Sequence, residues 1–399
     1  MASRLTTADL LERQVSSQAV AQATPSSARS VSALRAVSLG GRSGTIDCMH
    51  TTALSSPTWA AITTEPDGLG ESPFWHPQEQ RLYWVDIPGR RIARVAVQGL
   101  QAQGPVEYWP LTQEPGCIAP VQGGGLIMAL RDGIYLAREW GGPLQLLAAA
   151  PYDTAKLRFN DGKCDAQGRF WAGSLYEPKD QALGVLYMLD GQGLHVMMDG
   201  VVTANGLAWS PDGRTAYWAD TAAHQVRAFD VDAATGHLSS GRVFHQMPPK
   251  LEGWVWGSEM PNTPRYGGRP DGAAFDSDGC YWSAQYEGQS LLRLSPTGEV
   301  LAEVATPVPC PTMPCFGGPD LKTLFITTSR QGRSPQELAQ YPGAGCVFAM
   351  RVEVAGLPVN EFVDRTRKKL ADLGIEPLPA RGVQITNELI NSLRDQSGI

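Results

Sequence analysis

Charge is scarce in this chain. Only 18% of its 399 residues are charged, the formal net charge is −7, and no run of Lys or Arg forms a stripe that could follow a phosphate backbone. Nucleic acid is therefore not an expected partner. Long apolar runs are missing too: no window approaches the ~18 consecutive apolar residues of a bilayer span, and the N-terminus lacks the charged-then-apolar layout of a secretory signal. The chain reads as a cytoplasmic protein with no membrane partner, a monomer or weak dimer. Its seven cysteines are an odd number with no Cys-x-x-Cys pair and no His-rich cluster, which argues against structural zinc and against a disulfide framework. Cys310 and Cys315 read as buried strand-end thiols. A Gly-x-Ser-x-Gly elbow is also absent, and the six histidines avoid the repeat positions described next, so a serine-hydrolase dyad has no seat.

Residues 1–57 are rich in Ser, Ala, Thr and Arg, contain only Asp9, Glu12 and Asp47 as acids, and show no sustained periodicity. They are expected to stand outside the folded core as a disordered or non-native extension. From Trp59 the texture changes to short alternating runs of apolar and aromatic residues, each ended by Gly, Pro, Asn or Asp, which is the pattern of many short antiparallel strands. The chain also repeats itself. "ESPFWHPQEQRLYWVD" from Glu71, "NDGKCDAQGRFWAGSL" from Asn160, "NGLAWSPDGRTAYWAD" from Asn205 and "DGAAFDSDGCYWSA" from Asp271 each give a polar start, an apolar strand, a tight turn and an aromatic strand. Weaker copies begin at Cys117 and Cys315, making six units at a spacing of mostly about 45 residues, the length of a four-stranded propeller blade.

The expected fold is an all-β six-bladed β-propeller over residues 58–358, with a central divalent-metal site. "TWAAITTE" (58–65) is expected to lend a strand to the last blade beside "GCVFAMRVEV", closing the ring. The Pro/Gly-rich stretch between the fourth and fifth units reads as a loop over one face, with Trp254 and Trp256 either stacking on a ligand or packing onto the blades. Residues 359–399 form a C-terminal extension, helical or flexible, with helical spacing of Val363, Leu370 and Leu373 and again of Ile385, Leu389 and Leu393.

Innermost strands of a propeller start at one mouth of the central channel, so equivalent residues of different blades converge there. Glu71, Asn160, Asn205 and Asp271 hold that position, placing two carboxylates and two carboxamides around one point. Asn-Gly and Asp-Gly are common turn dipeptides, but the turns of these units lie several residues downstream, and Glu71 is no turn former. An oxygen-only set suits a hard divalent ion: Ca²⁺ first, with Mg²⁺ and Mn²⁺ next and Zn²⁺ or Fe²⁺ able to enter when supplied. "DSDG" (276–279) lacks the spacing of an EF-hand and reads as a hairpin turn.

The pieces "GLGESPFWHPQEQRLYWVDI", "RFNDGKCDAQGRFWAGS", "NGLAWSPDGRTAYWAD", "PDGAAFDSDGCYWSA" and "CFGGPDLKTLFITTS", in this order over about residues 59–358, resemble the senescence marker protein, regucalcin and gluconolactonase family of calcium-dependent propellers. The resemblance implies a metal held by Glu71, Asn205 and Asp271, substrate contacts from Arg158 and Asn160, and hydrolysis of sugar lactones. Members of that family carry a further substrate-binding glutamate just past the third unit's aromatic strand; Glu177 is the nearest candidate, offset by one. Asp271 is the expected general base and Asp220 a further channel or strand-end residue. The expected activity is metal-dependent hydrolysis of an aldono-1,4- or 1,5-lactone; the alternative is a non-catalytic Ca²⁺- or ligand-binding regulatory propeller.

Overall fold

A computed structural model describes residues 58–257 and 266–365. The expected N-terminal extension, the tail beyond 365 and part of the long insertion lie outside the described residues. Among the described residues no helix is long and apolar enough to cross a membrane.

Six antiparallel sheets make six blades. Their innermost strands are Gly70–His76, Pro115–Pro120, Leu157–Cys164, Ala204–Trp209, Arg269–Phe275 and Pro311–Gly317, and each touches the next, the last returning to the first. The sixth blade is closed as expected, by Ala60–Ala61 pairing with Phe348–Arg351. Blades two and six begin at Pro115 and Pro311, earlier than the starts assigned at Cys117 and Cys315. Neither strand carries an acid or carboxamide, so the sequence offered none at the position held by those residues in the other blades by which to set their register.

Hydrophobic burial is divided among six seams, one between each pair of neighbouring blades. Phe74, Tyr83 and Ile92 of blade one meet Ile118 and Met128 of blade two, and Trp171 and Leu186 of blade three meet Leu207 and Trp218 of blade four. Among the described residues there is no single central core, because the strands nearest the axis carry the channel residues. Alternation along the aromatic strands supplies both neighbouring seams at once, since successive side chains point to opposite faces.

In blades three and five the turn after the inner strand is fastened by a buried carboxylate. Asp276 of "DSDG" is fully buried; one oxygen accepts the backbone N–H groups of Asp278 and Cys280, and the other accepts the Trp282 indole at 2.9 Å and Arg293 Nε at 2.8 Å. This segment is therefore a hairpin turn, as read from sequence. Asp165 does the same in blade three, taking the Trp171 indole at 2.8 Å.

Residues 359–365 depart from the boundary drawn at 358. They run extended: Phe362 bridges to Val121 in parallel, and the Val363 N–H donates to the Gly168 carbonyl at 2.9 Å. Val363, the first residue of the helical spacing, is thus bound to blade three by its backbone, while the rest of that spacing lies outside the described residues.

Asp276→Ala is expected to destabilise the protein by about 2–4 kcal/mol, since it leaves a buried indole and two backbone donors without their acceptor and takes one of two carboxylate partners from the half-buried Arg293. Urea unfolding of the variant against the parent, followed by tryptophan fluorescence, checks this. A loss below about 1 kcal/mol would show that the turn carboxylates do not fasten the blades.

Candidate active site

Every innermost strand contains a β-bulge near its start. In blades one, three, four and five the register with the second strand slips at Glu71/Phe74, Phe159/Gly162, Asn205/Ala208 and Pro270/Ala273. A bulge places two residues against one and re-aims the side chains beside it. The Asn-Asp-Gly, Asn-Gly and Asp-Gly sequences are these bulges. Gly206 has φ 61°, and a Cβ there would lie 2.4 Å from the Tyr281 hydroxyl oxygen. A Cβ on Gly162 would lie 2.5 Å from Cys117 Sγ of the preceding blade. In blade one Ser72 takes the left-handed conformation at φ 50°, and its hydroxyl oxygen accepts the Ile118 N–H at 2.9 Å.

Hydrogen bonds join the carboxamides across blades. Asn160 Nδ2 donates to Asn205 Oδ1 at 2.6 Å and to the Ala204 carbonyl at 2.9 Å. Asn205 Nδ2 donates to the Thr221 hydroxyl at 2.7 Å, and that hydroxyl donates to the Pro270 carbonyl, directly before Asp271, at 2.7 Å. Arg158 NH1 donates to Asn160 Oδ1 at 2.8 Å and to its neighbour's carbonyl at 2.9 Å. One chain of bonds therefore runs from Arg158 to the start of blade five.

The carboxylates meet through charge. Burial is the main cause pushing Glu71 well above the usual carboxylate range, helped by the charges of Asp271 and Asp161 and opposed by Arg158. Asp271 is pushed up to about 8, by burial first and Asp161 next, with Arg269 and Lys179 opposing. Asp161 is raised by burial and held down by Lys163; one of its oxygens accepts the Leu207 N–H at 2.9 Å and the other has no partner. Buried carboxylates in mutual repulsion are relieved by protons or by a cation. Glu71 and Asp271 with the Asn205 carboxamide oxygen make a hard oxygen set that fits a divalent ion. Among the described residues no group of three or more His, Cys, Asp or Glu side chains has metal-holding spacing, so the set depends on the carboxamide.

Glu177 lies one residue past the strand Phe170–Tyr176, where Arg131 grips both its oxygens at 2.9 and 3.1 Å and Arg158 Nε stands at 3.7 Å. It faces the guanidinium that holds Asn160. Asp220 caps a strand end, accepting the N–H groups of Val202, Thr203 and Ala222. Trp254 packs on Tyr266 at 4.6 Å and Trp256 on Tyr341 at 6.0 Å, the blade-packing role. The six cysteines of the described residues are free and buried, Cys310 and Cys315 included.

Sequence reasoning missed Asp161 and Lys163. Both stand in "NDGK", but strict strand alternation allows only every second residue to face the channel, and the bulge suspends that rule. Lys179 and Arg269 were missed because neither holds a blade-start position. A separate cavity of about 290 Å³ opens at the far ends of the same inner strands, lined by Trp75, Trp209, Phe275 and the segment Leu357–Asn360. It shares only the Lys163 neighbourhood with the polar mouth.

The profile described as the SMP-30/Gluconolactonase/LRE-like region matches residues 69–330. The chain belongs to the SMP-30/gluconolactonase/LRE-like family. Within that family it is 44% identical over 300 residues to 6-deoxy-6-sulfogluconolactonase of Pseudomonas putida, covering 75% of this chain and 96% of the relative. It is 34% identical over 315 residues to the regucalcin of Danio rerio, covering 77% and 99%. The Agrobacterium tumefaciens regucalcin, a calcium-binding protein, superposes with a TM-score of 0.68 at 23% identity over 77% of this chain and 99% of its own, a likeness of fold. This member of the family is a gluconolactonase-like hydrolase, as the resemblance implied.

With metal removed, the raised Asp271 carboxyl binds its proton more tightly in the folded than in the unfolded chain. Its contribution to stability is complete below about pH 4 and is lost as pH rises towards about 8. The melting temperature of the metal-stripped protein is expected to fall over that window more steeply than that of Asp271→Asn. Parallel curves for the two proteins would show that Asp271 titrates normally.

Proposed function

We propose that this chain hydrolyses an aldono-1,4- or 1,5-lactone to the aldonic acid at the mouth where blades one, three, four and five converge. What supports the reading is the meeting of Glu71 and Asp271 in one buried place beside the Arg158–Asn160–Asn205 chain of bonds, in a protein so similar to a lactonase. Glu71, Asn205 and Asp271 would hold one divalent ion, Ca²⁺ first, with Zn²⁺, Mn²⁺, Mg²⁺ or Fe²⁺ as alternatives. When bound, such an ion polarises the ester carbonyl and acidifies a water.

The remaining work falls to side chains. Asp271 takes the proton of the attacking water as the new C–O bond forms at the lactone carbonyl. The ring C–O bond then breaks, and that proton passes to the departing ring oxygen, which becomes a hydroxyl. Arg158 directs its donors at the substrate oxygens, its position fixed by Asn160 Oδ1 and its charge balanced by Glu177. Asn160 keeps Asn205 turned so that a free lone pair of the Asn205 oxygen remains for the ion.

The test is the initial rate of acid release from a panel of aldonolactones, with and without a C6 anion, by metal-stripped protein given each ion in turn. Activity is expected to return with at least one ion. Asp271→Asn is expected to lose about 10²–10⁴ in kcat while its metal affinity falls far less. A folded, metal-loaded protein inert on every lactone would favour the regulatory, binding-only propeller.

A further inference from the structure

We propose that Lys179 and Arg269 form a cationic subsite at the rim of this mouth that receives an anionic substituent, a sulfonate or a phosphate, on the sugar lactone. The proposal rests on the lactonase reading and deepens it.

Charge is the first argument. Glu287 is buried and is shared by three cations: Lys250 at 2.9 and 3.0 Å, Arg333 at 3.2 Å and Arg269 at 3.3 Å. One carboxylate cannot cancel three positive charges. Lys250 and Arg333 have further fixed neighbours, the Trp254 ring at 4.9 Å and Glu337 at 3.5 Å. Arg269 lies over the Tyr286 ring at 5.3 Å, and of the three it stands on the inner strand of blade five, two residues before Asp271. Its planar fork keeps donors to spare beyond the one spent on Glu287.

Lys179 completes the pair from the other side. It stands in the turn after Phe170–Tyr176, held in the left-handed conformation at φ 61° with its N–H on the Tyr176 carbonyl. Its ammonium has no hydrogen bond or ion pair among the described residues, although it feels the charges of Arg269, Arg158, Asp271 and Glu177. The guanidiniums of Arg269 and Arg158 repel its charge, a repulsion that an incoming anion relieves. A neutral sugar hydroxyl gives no such relief.

The chemistry of the guest follows. It must be a compact oxyanion, since Arg reads such groups through paired donors and Lys as a point charge. It must hang from the lactone at a distance from the carbonyl, because Arg158 and Asp271 occupy the reacting end. Asp271 lies nearby, so the anion is held on the cationic side and the carbonyl is steered towards the carboxylates.

The experiment compares kcat/KM of the wild type for glucono-1,5-lactone, its 6-deoxy-6-sulfo analogue and its 6-phosphate. A preference of at least tenfold for a charged lactone is expected, falling with added salt, and the two charged substrates show which oxyanion the rim fits. Lys179→Ala and Arg269→Ala are each expected to cut that preference about tenfold or more, chiefly through KM, and Lys179→Arg to restore much of it. Lys179 is exposed, so its variants keep the test open should Arg269→Ala fail to fold. Equal turnover of charged and neutral lactones by wild type, or a preference that the Lys179 variants leave intact, overturns the subsite and leaves the lactonase standing. If no lactone turns over, the lactonase reading falls instead. The subsite is then judged by calorimetric binding of 6-deoxy-6-sulfogluconate and 6-phosphogluconate against gluconate, and binding of neither charged acid more tightly overturns it.

Discussion

Six strands pressed side by side around one axis leave no room for ordinary pleating at their starts. Each resolves the crowding with a β-bulge, and in three blades a glycine just after the polar residue makes the close approach possible. The functional geometry is a by-product of this constraint. Once the strand bulges, side chains at or beside the slip are turned towards the channel, and the same steric event in four blades brings Glu71, Asn160, Asn205 and Asp271 together. Blade one solves the problem without glycine, through Ser72 and its bond to Ile118.

The carboxylates gathered in this way would repel one another in any apolar setting. They are tolerated because the seams between blades hold the strands rigidly elsewhere: the aromatic and aliphatic side chains that stabilise the ring lie away from the axis. Packing and polar work are spatially separated, so a change at the mouth need not propagate into a seam. Lys163, whose ammonium donates to the Ala273 carbonyl, is the one described cation beneath the carboxylates and ties blade three to blade five.

The blade count, the ring closure and the hairpin nature of "DSDG" were legible because turns and aromatic strands repeat visibly. The four convergent residues were legible because polar side chains at the head of apolar strands have no other use. Blades two and six were misplaced at their starts, since Gly116 and Thr312 at their bulges are neither acids nor carboxamides. Asp161 and Lys163 escaped because alternation, the rule used to sort faces, fails at a bulge. Lys179 and Arg269 escaped for a different reason: their relation to Asp271 depends on a turn and on a three-cation cluster that only the folded chain assembles. Val363 fitted a helical spacing, yet its backbone finds partners on blade three.

The sixth blade unites Ala60–Ala61 with Phe348–Arg351. During vectorial synthesis the first of these strands leaves the ribosome long before its partner exists. Five blades can stack as they emerge, but the sheet that locks them waits for almost the whole propeller to be made. Until then the seams flanking blade six stay open to water, and the nascent chain is an arc with two bare ends. Such an arc is the state most exposed to chaperones and to pairing with another chain, which makes the act of closure, more than any single blade, the vulnerable moment in the life of this protein.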